Sequence, residues 1–301
     1  VWLGADHYNK GFHITATSGI FGAVLGSCKV LNLPNYVIHN ALNLAASKAS
    51  GLKVQFGSMG KPYHAGMASS SGVEVTILAS HGLNSCQNAF DGEHGFGAIY
   101  GRSKICSEKN LVDDEFLFTK VKHKFHACCH GTHAAIEALE FLRETYVLKR
   151  KEISKIVIKA HPRFATVCNI QEPSSGLEIK FSYRMIAALQ MFDYDTSRLD
   201  AFSDDTCSNK KLIEFRKKVE VFFDEKLKVS ESQVVVELRS GTLYKKKHDL
   251  EDSINLKKLE SKVRKKASSL IGRSAEEEIW GMLADKKVSS NSFMQFLAEQ
   301  R

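Results

Sequence analysis

The chain has 301 residues, 43% of them hydrophobic and 25% charged, the balance of a globular protein with a real core. That length suits about two domains of ~150 residues and can bury roughly 75% of its unfolded surface without disulfide or metal staples; 4 prolines and 20 glycines exclude a collagen-like or low-complexity polymer, and no apolar run approaches the roughly 18 residues of a membrane span. The net charge of +8 fits an anionic ligand or nucleic acid and dictates neither, because charge governs steering and solubility rather than fold.

The chain opens at Val1 with VWLGADHYNKGFH, showing neither a charged leader, a signal peptide nor a helix cap. It reads as though residues are missing upstream. TSGIFGAVLGSCKVLNL (17–33) begins with Thr17 and Ser18, good N-cap types, and is apolar nearly all round, which predicts a buried helix. Pro34 stops it. NYVIHNALNLAASKASG (35–51) has apolar positions 38, 42, 45 and 46 at helical spacing, with Gly51 as a C′ residue. GKPYHAGMASSSGVEVTILASHGL (60–83) puts Pro62 in a first helical turn and lines one face with small residues that let a neighbouring helix come close. THAAIEALEFLRETYVL (132–148) is amphipathic, with Ile136, Leu139, Leu142 and Val147 near one stripe.

The texture changes near residue 150. KRKEISKIVIKAHP (149–162) is basic and then alternates, as a linker feeding a strand does. FSYRMIAALQMF (181–192) and KKLIEFRKKV (210–219) read as helices, and VVVELRSGTLYKKKHD (234–249) as a β-hairpin turning at Ser240 and Gly241. From 256 onward the chain is charged and helical. The domains expected are a helical first part over 1–150, an α+β lid over 151–252, and C-terminal helices over 253–301 returning to the helical domain.

Twelve histidines are the informative residue type. His13 precedes a predicted helix start, His64 follows Lys61 by three residues, and His126, His130 and His133 crowd into KFHACCHGTHAA. Lys61 sits near a helix N-terminus, where free N–H groups and the positive dipole end suit an anion; a solvated lysine at a helix start is the plainer alternative. The i, i+3 spacing of His130 and His133 allows a shared metal, but two neutral histidines bonded to backbone carbonyls are the plainer reading, since no HExxH is present and Glu137 lies further along with no third ligand evident. The seven cysteines, Cys28, Cys86, Cys106, Cys128, Cys129, Cys168 and Cys207, are odd in number and lack a CxxC, which points to a reduced, cytoplasmic setting with free thiols. DGEHGFGAIYG (91–101) reads as a turn-rich loop and not a nucleotide loop. The runs at 245–247 and 262–266 read as a solvated face, with nucleic-acid binding ranked last because no aromatic platform accompanies them.

Taken together, GFHITATSGIFGAVLGSCKVLNL, ALNLAASKASGL, GSMGKPYHAGMASSSGVEVTILASHGL, KFHACCHGTHAAIEAL and EPSSGLEIKFSYRMIAAL resemble the MmgE/PrpD family in order and spacing. The resemblance implies a mainly α-helical domain plus a smaller α+β lid. It implies lyase chemistry, dehydration or decarboxylation, on a small di- or tricarboxylate by proton abstraction next to a carboxylate, with no metal and no cofactor. Epimerisation or isomerisation is the alternative reaction within the family, and a truncated, inactive paralogue serving as a dimerising helical module is the non-enzymatic alternative.

The resemblance places His13 and Lys61 at family active-site positions, with a further histidine at His130 or His133. The general acid or base falls to His130 or His133, and the charge-stabilising field to Lys61, His13 and Arg184. His64, Arg184 and Tyr183 are expected at the substrate. Two departures accompany it: the family's upstream helical portion, roughly a third, has no counterpart, and a position where the family often has tyrosine holds Met185, just after Tyr183 and Arg184. The partners implied are a small carboxylate substrate and a second copy in a homodimer, with no nucleic acid and no membrane, although core packing within one chain explains the small-residue helices equally well.

Overall fold

In the computed structural model, residues 4–101, 121–285 and 288–299 are described. The chain divides into two compact units, 1–120 and 121–301. The three-part division expected from texture cuts the chain elsewhere: the helix at 133–146, assigned by sequence to the first part, lies in the second unit and packs on its sheet.

The first unit is helical: α1 (Gly4–Asn9), α2 (Ile14–Val30), α3 (Asn35–Lys48), α4 (Gly60–Ser80) and α5 (Phe96–Tyr100), with a 3₁₀ turn at Lys53–Gln55. Ile20, Val24, Cys28, Val37, Ala41, Ala45, Ala68, Val75 and Phe96 form its core. Small side chains dominate because the helices are close. A Cβ on Gly72 of α4 would stand 2.4 Å from Ala23 Cβ and 2.8 Å from the Ile20 carbonyl oxygen of α2, so the small-residue face predicted for 60–83 is where α2 and α4 meet.

Three local expectations need correction. Helix α2 starts at Ile14, with His13 as its N-cap residue and no side-chain cap bond; the His13 carbonyl accepts from the Ala16 and Thr17 amides. Thr17 lies inside the first turn, where its hydroxyl meets His7 Nε2 at 2.7 Å. Nor is α2 enclosed all round in this chain: Leu25 is 51% and Val30 85% exposed. Helix α3 ends at Lys48, so Gly51 is not its C′ residue. It has φ +136°, and a Cβ there would stand 2.4 Å from Ala16 Cβ; its carbonyl accepts the His13 amide at 2.9 Å.

The second unit is α+β. After a 3₁₀ turn at His130–Thr132 come α6 (His133–Tyr146), β1 (Ile153–Ala160), α7 (Gly176–Ile179), α8 (Tyr183–Met191), α9 (Asp204–Ser208), α10 (Lys210–Arg216), β2 (Val219–Phe223), β3 (Glu231–Leu238), β4 (Leu243–Asp249), α11 (Leu256–Ile271), α12 (Arg273–Ala284) and α13 (Ser290–Glu299). The sheet order is β2-β1-β3-β4. β1 runs parallel to β2, with Ile156 opposite Val219, and antiparallel to β3, with Ile158 opposite Val234. Ile156, Ile158, Val234 and Val236 are fully buried; α6 packs on β3 and β4, and α8 on α6, α10 and β2.

The hairpin β3–β4 forms as predicted, with Gly241 at φ +84° in the turn. The helix predicted over 210–219 stops at Arg216, because Val219 leaves to pair with β1. The predicted stripe of α6 holds at Ile136, Leu139 and Leu142, but Val147 ends the helix in a left-handed conformation and is 78% exposed. Among the described cysteines, Cys28, Cys128, Cys168 and Cys207 are buried free thiols; Cys106 lies outside the described residues. Part of the basic face is engaged: Lys247 pairs with Glu231 at 2.8 Å and Arg264 with Glu276 at 2.6 Å. Among the described residues, no helix is long and apolar enough to cross a membrane.

Candidate functional site

The first unit brings His13, His64 and Lys61 together. The bond between the His13 amide and the Gly51 carbonyl holds the chain entering α2 against the loop that leaves α3. His64 projects from the second turn of α4 and is buried. Its Nδ1 meets His13 Nδ1 at 3.0 Å. The Phe56 ring stands edge-on to His13, 4.9 Å between centroids, and Lys61 Nζ lies 5.4 Å from that same ring. Burial first, then the Lys61 ammonium, then His64 hold the His13 imidazole down at about 4, so it is uncharged at neutral pH.

The second unit gathers His126, His130 and His133. The His133 ring stands 4.9 Å from both His126 and His130. His133 is 1% exposed and makes a backbone hydrogen bond to Cys128. Its Nε2 is buried with no hydrogen-bond partner among the described residues. Burial, then His126 and His130, press its pKa to about 2, leaving a neutral ring with a lone pair that nothing satisfies. Buried polar atoms are seldom left in that state. His130 is half-buried, and desolvation followed by Lys124 and Lys122 lowers its pKa. Both line a cavity of about 460 Å³ with Glu137, His248, Lys258 and Lys262.

Glu137 is the residue whose part sequence reasoning missed. It lies one helical turn after His133 on α6, accepts from His126 Nε2 at 3.3 Å and is bonded by Lys262 of α11. Burial pushes its carboxyl upward, but His126 and Lys262 outweigh that and hold it at about 2. His126 Nδ1 contacts Thr196 Oγ1 at 2.7 Å. The i, i+4 spacing of His133 and Glu137 was visible in the sequence; the partners Lys262 and Thr196 were not.

Tyr183 and Arg184 are not among the residues lining this cavity. Tyr183 is fully buried, and its hydroxyl donates to the Gly131 carbonyl at 2.8 Å, tying α8 to the turn that carries His130. Arg184 Nη1 donates to Asn169 Oδ1 at 2.8 Å. Met185, at the position where the resemblance leads one to expect a tyrosine, is wholly enclosed and serves packing. Among the described residues, no group of three or more His, Cys, Asp or Glu side chains is arranged to hold a metal ion.

Residues 126–286 match the MmgE/PrpD C-terminal domain and residues 2–108 the MmgE/PrpD N-terminal domain. The chain belongs to the MmgE/PrpD family. Its His13, His64 and Lys61 fall in the N-terminal match, and its three clustered histidines with Glu137 in the C-terminal one. A cis-aconitate decarboxylase of Aspergillus terreus is 28% identical over 221 residues, 67% of this chain and 45% of that protein. The human cis-aconitate decarboxylase is 24% identical over 295 residues, 91% of this chain and 60% of its own length. That of Mus musculus is 24% identical over 291 residues, 90% and 58%. This MmgE/PrpD chain therefore spans about half the length of the curated relatives it matches.

Proposed function

We propose that this chain is a lyase acting on a small di- or tricarboxylate, removing a proton next to a carboxylate and releasing water, or releasing carbon dioxide with a proton put back on carbon. The observation that carries the reading is the match to both family domains, with relatives that are cis-aconitate decarboxylases; cis-aconitate is accordingly the first substrate to test. Charge that builds up beside a carboxylate needs a preorganised cation or donor. Lys61 is the cation assigned that role, with the uncharged His13 ring, bonded to His64, as its neighbour. Proton transfer is assigned to the imidazoles: in the second unit's cavity to His130, which is less enclosed than His133, with His133 behind it as a neutral acceptor. Tyr183 holds the His130 turn through Gly131.

The test is turnover of cis-aconitate and a panel of citrate-like acids, followed by proton NMR of the unsaturated products. Lys61→Ala is expected to lower kcat by about 10²–10³, the loss typical of one preorganised donor, with the far-UV spectrum unchanged. His130→Asn is expected to cost about 10²–10⁴. Undiminished turnover in Lys61→Ala, or wild-type chain inert towards the whole panel, overturns the reading.

A further inference from the structure

The contact between His13 and His64 joins like atoms. Both ends of the 3.0 Å bond are Nδ1, so one ring must bring an N–H and the other a lone pair. Two neutral imidazoles meeting in this way are opposite tautomers, and their far nitrogens then differ in character: the donor ring keeps a lone pair on Nε2, and the acceptor ring keeps its proton there. The arrangement is held on both sides. The His13 amide is fixed to the Gly51 carbonyl at 2.9 Å, and a Cβ added to Gly51 would lie 3.5 Å from His64 Nδ1, so the glycine backbone lies close beside the junction. The titratable groups acting on His13 are Lys61 and His64, both from α4; Phe56 closes a further side with an apolar ring.

We propose that His64 is the positioning residue for His13 and that the two rings work as one proton-accepting unit, with Nδ1–H on His13 donating to Nδ1 of His64. A proton delivered to Nε2 of His13 forms the new N–H bond there. The Nδ1–H bond of His13 breaks as its proton crosses to Nδ1 of His64. His13 ends neutral with its proton on Nε2, and His64 ends as the imidazolium. The electron pair of the bond that released the proton stays with the donor. Lys61 Nζ and the His13 ring both lie against Phe56, and a second positive charge near that ammonium is disfavoured, so in this scheme the charge passes along the shared bond to the other ring. The identity of the donor, an acidic C–H of a carboxylate substrate, rests on the lyase reading above.

The experiment is ¹⁵N-resolved NMR of the histidine side chains across a pH titration of the wild-type chain, with His64→Asn as the variant. Asparagine offers an oxygen near the place of Nδ1, so it preserves an acceptor for His13 Nδ1–H while being unable to take the proton. The expected wild-type result is an Nδ1–H tautomer for His13, an Nε2–H tautomer for His64, and protonation appearing on His64 while His13 stays neutral. In His64→Asn, His13 should keep its tautomer, and kcat on whichever acid the chain turns over should fall about 10²-fold with KM little changed. The proposal is overturned by reversed tautomers, by protonation of His13 first, or by full activity in His64→Asn. The NMR arm needs no turnover, so an inert chain with the expected tautomers defeats the lyase reading and leaves the pair standing.

Discussion

Gly72 gives the sharpest test of how the first unit is held together. An alanine Cβ there would meet Ala23 Cβ at 2.4 Å, the Ile20 carbonyl oxygen at 2.8 Å and the Val24 amide nitrogen at 3.0 Å. Carbon atoms pack at about 3.5–4.0 Å, so the first contact is short by roughly 1.1–1.6 Å. Two of the three obstructing atoms are backbone and the third is a Cβ, so no rotamer change relieves the clash and α2 and α4 must separate. Overpacking of this kind costs about 3 kcal/mol at the upper end of the usual range. Replacing glycine by alanine inside a helix returns about 1 kcal/mol, and the net expectation for Gly72→Ala is a loss of about 2 kcal/mol. Gly66 is the control: it lies in the same helix, is exposed, and a Cβ there meets nothing within 4 Å. Gly66→Ala should gain about 0.5–1 kcal/mol. Urea unfolding followed by far-UV circular dichroism, with midpoints and slopes compared, reads both. Shifts of the same sign in the two variants would falsify the close-approach account of α2 and α4.

Three further predictions concern the second unit. The Glu137 carboxyl, held at about 2, lies below its unfolded value of about 4.3, so its contribution is complete above that value and fades as the pH falls towards 2; Glu137→Gln should lose about 3 kcal/mol at pH 7 and show a flatter stability profile over the same acid range by urea titration. His133 is held at about 2 against about 6.5 when free, so the unfolded chain gains its proton first and stability drains away as the pH falls below about 6.5. His133→Leu should flatten that acid limb; an unaltered slope counts against a buried neutral ring. Tyr183→Phe should cost about 1 kcal/mol through the lost bond to Gly131 and slow turnover more than it weakens substrate binding; a change confined to KM would place the hydroxyl at the ligand instead.

Much of the first unit could be read from spacing alone. The apolar period of α3, the proline between α2 and α3, and Pro62 with the small face of 60–83 are local signals, and each reports a helix boundary, a helix or a close approach. The start of α2 was misread because Thr17 and Ser18 are good capping types, while the residue that ends the loop is His13, fixed by the distant Gly51 carbonyl. β2 was missed because its five residues follow a helical run directly and become a strand only by pairing with β1. The site shows the same divide. His13, Lys61, His130 and His133 were found through resemblance to a family, and His64 through its closeness to Lys61. The bond from Lys262 to Glu137 spans 125 residues and leaves no trace in any window of sequence. Tyr183 and Arg184 were placed at the substrate by their neighbourhood, whereas the depth of Tyr183 and its bond to Gly131 are properties of the folded chain.

The order of strands carries a consequence for how the second unit comes into being. β1 takes an inner place in the sheet, yet both strands that flank it lie later in the chain. During synthesis its two rows of backbone donors and acceptors therefore emerge with no β-partner yet made, and they wait until residues 219–238 have left the ribosome. Contacts so far apart along the chain form slowly, and a bare apolar strand invites pairing with a stranger in the interval. The hazard facing a nascent copy is thus greatest midway through translation of this unit, and it ends when the last neighbour of β1 arrives.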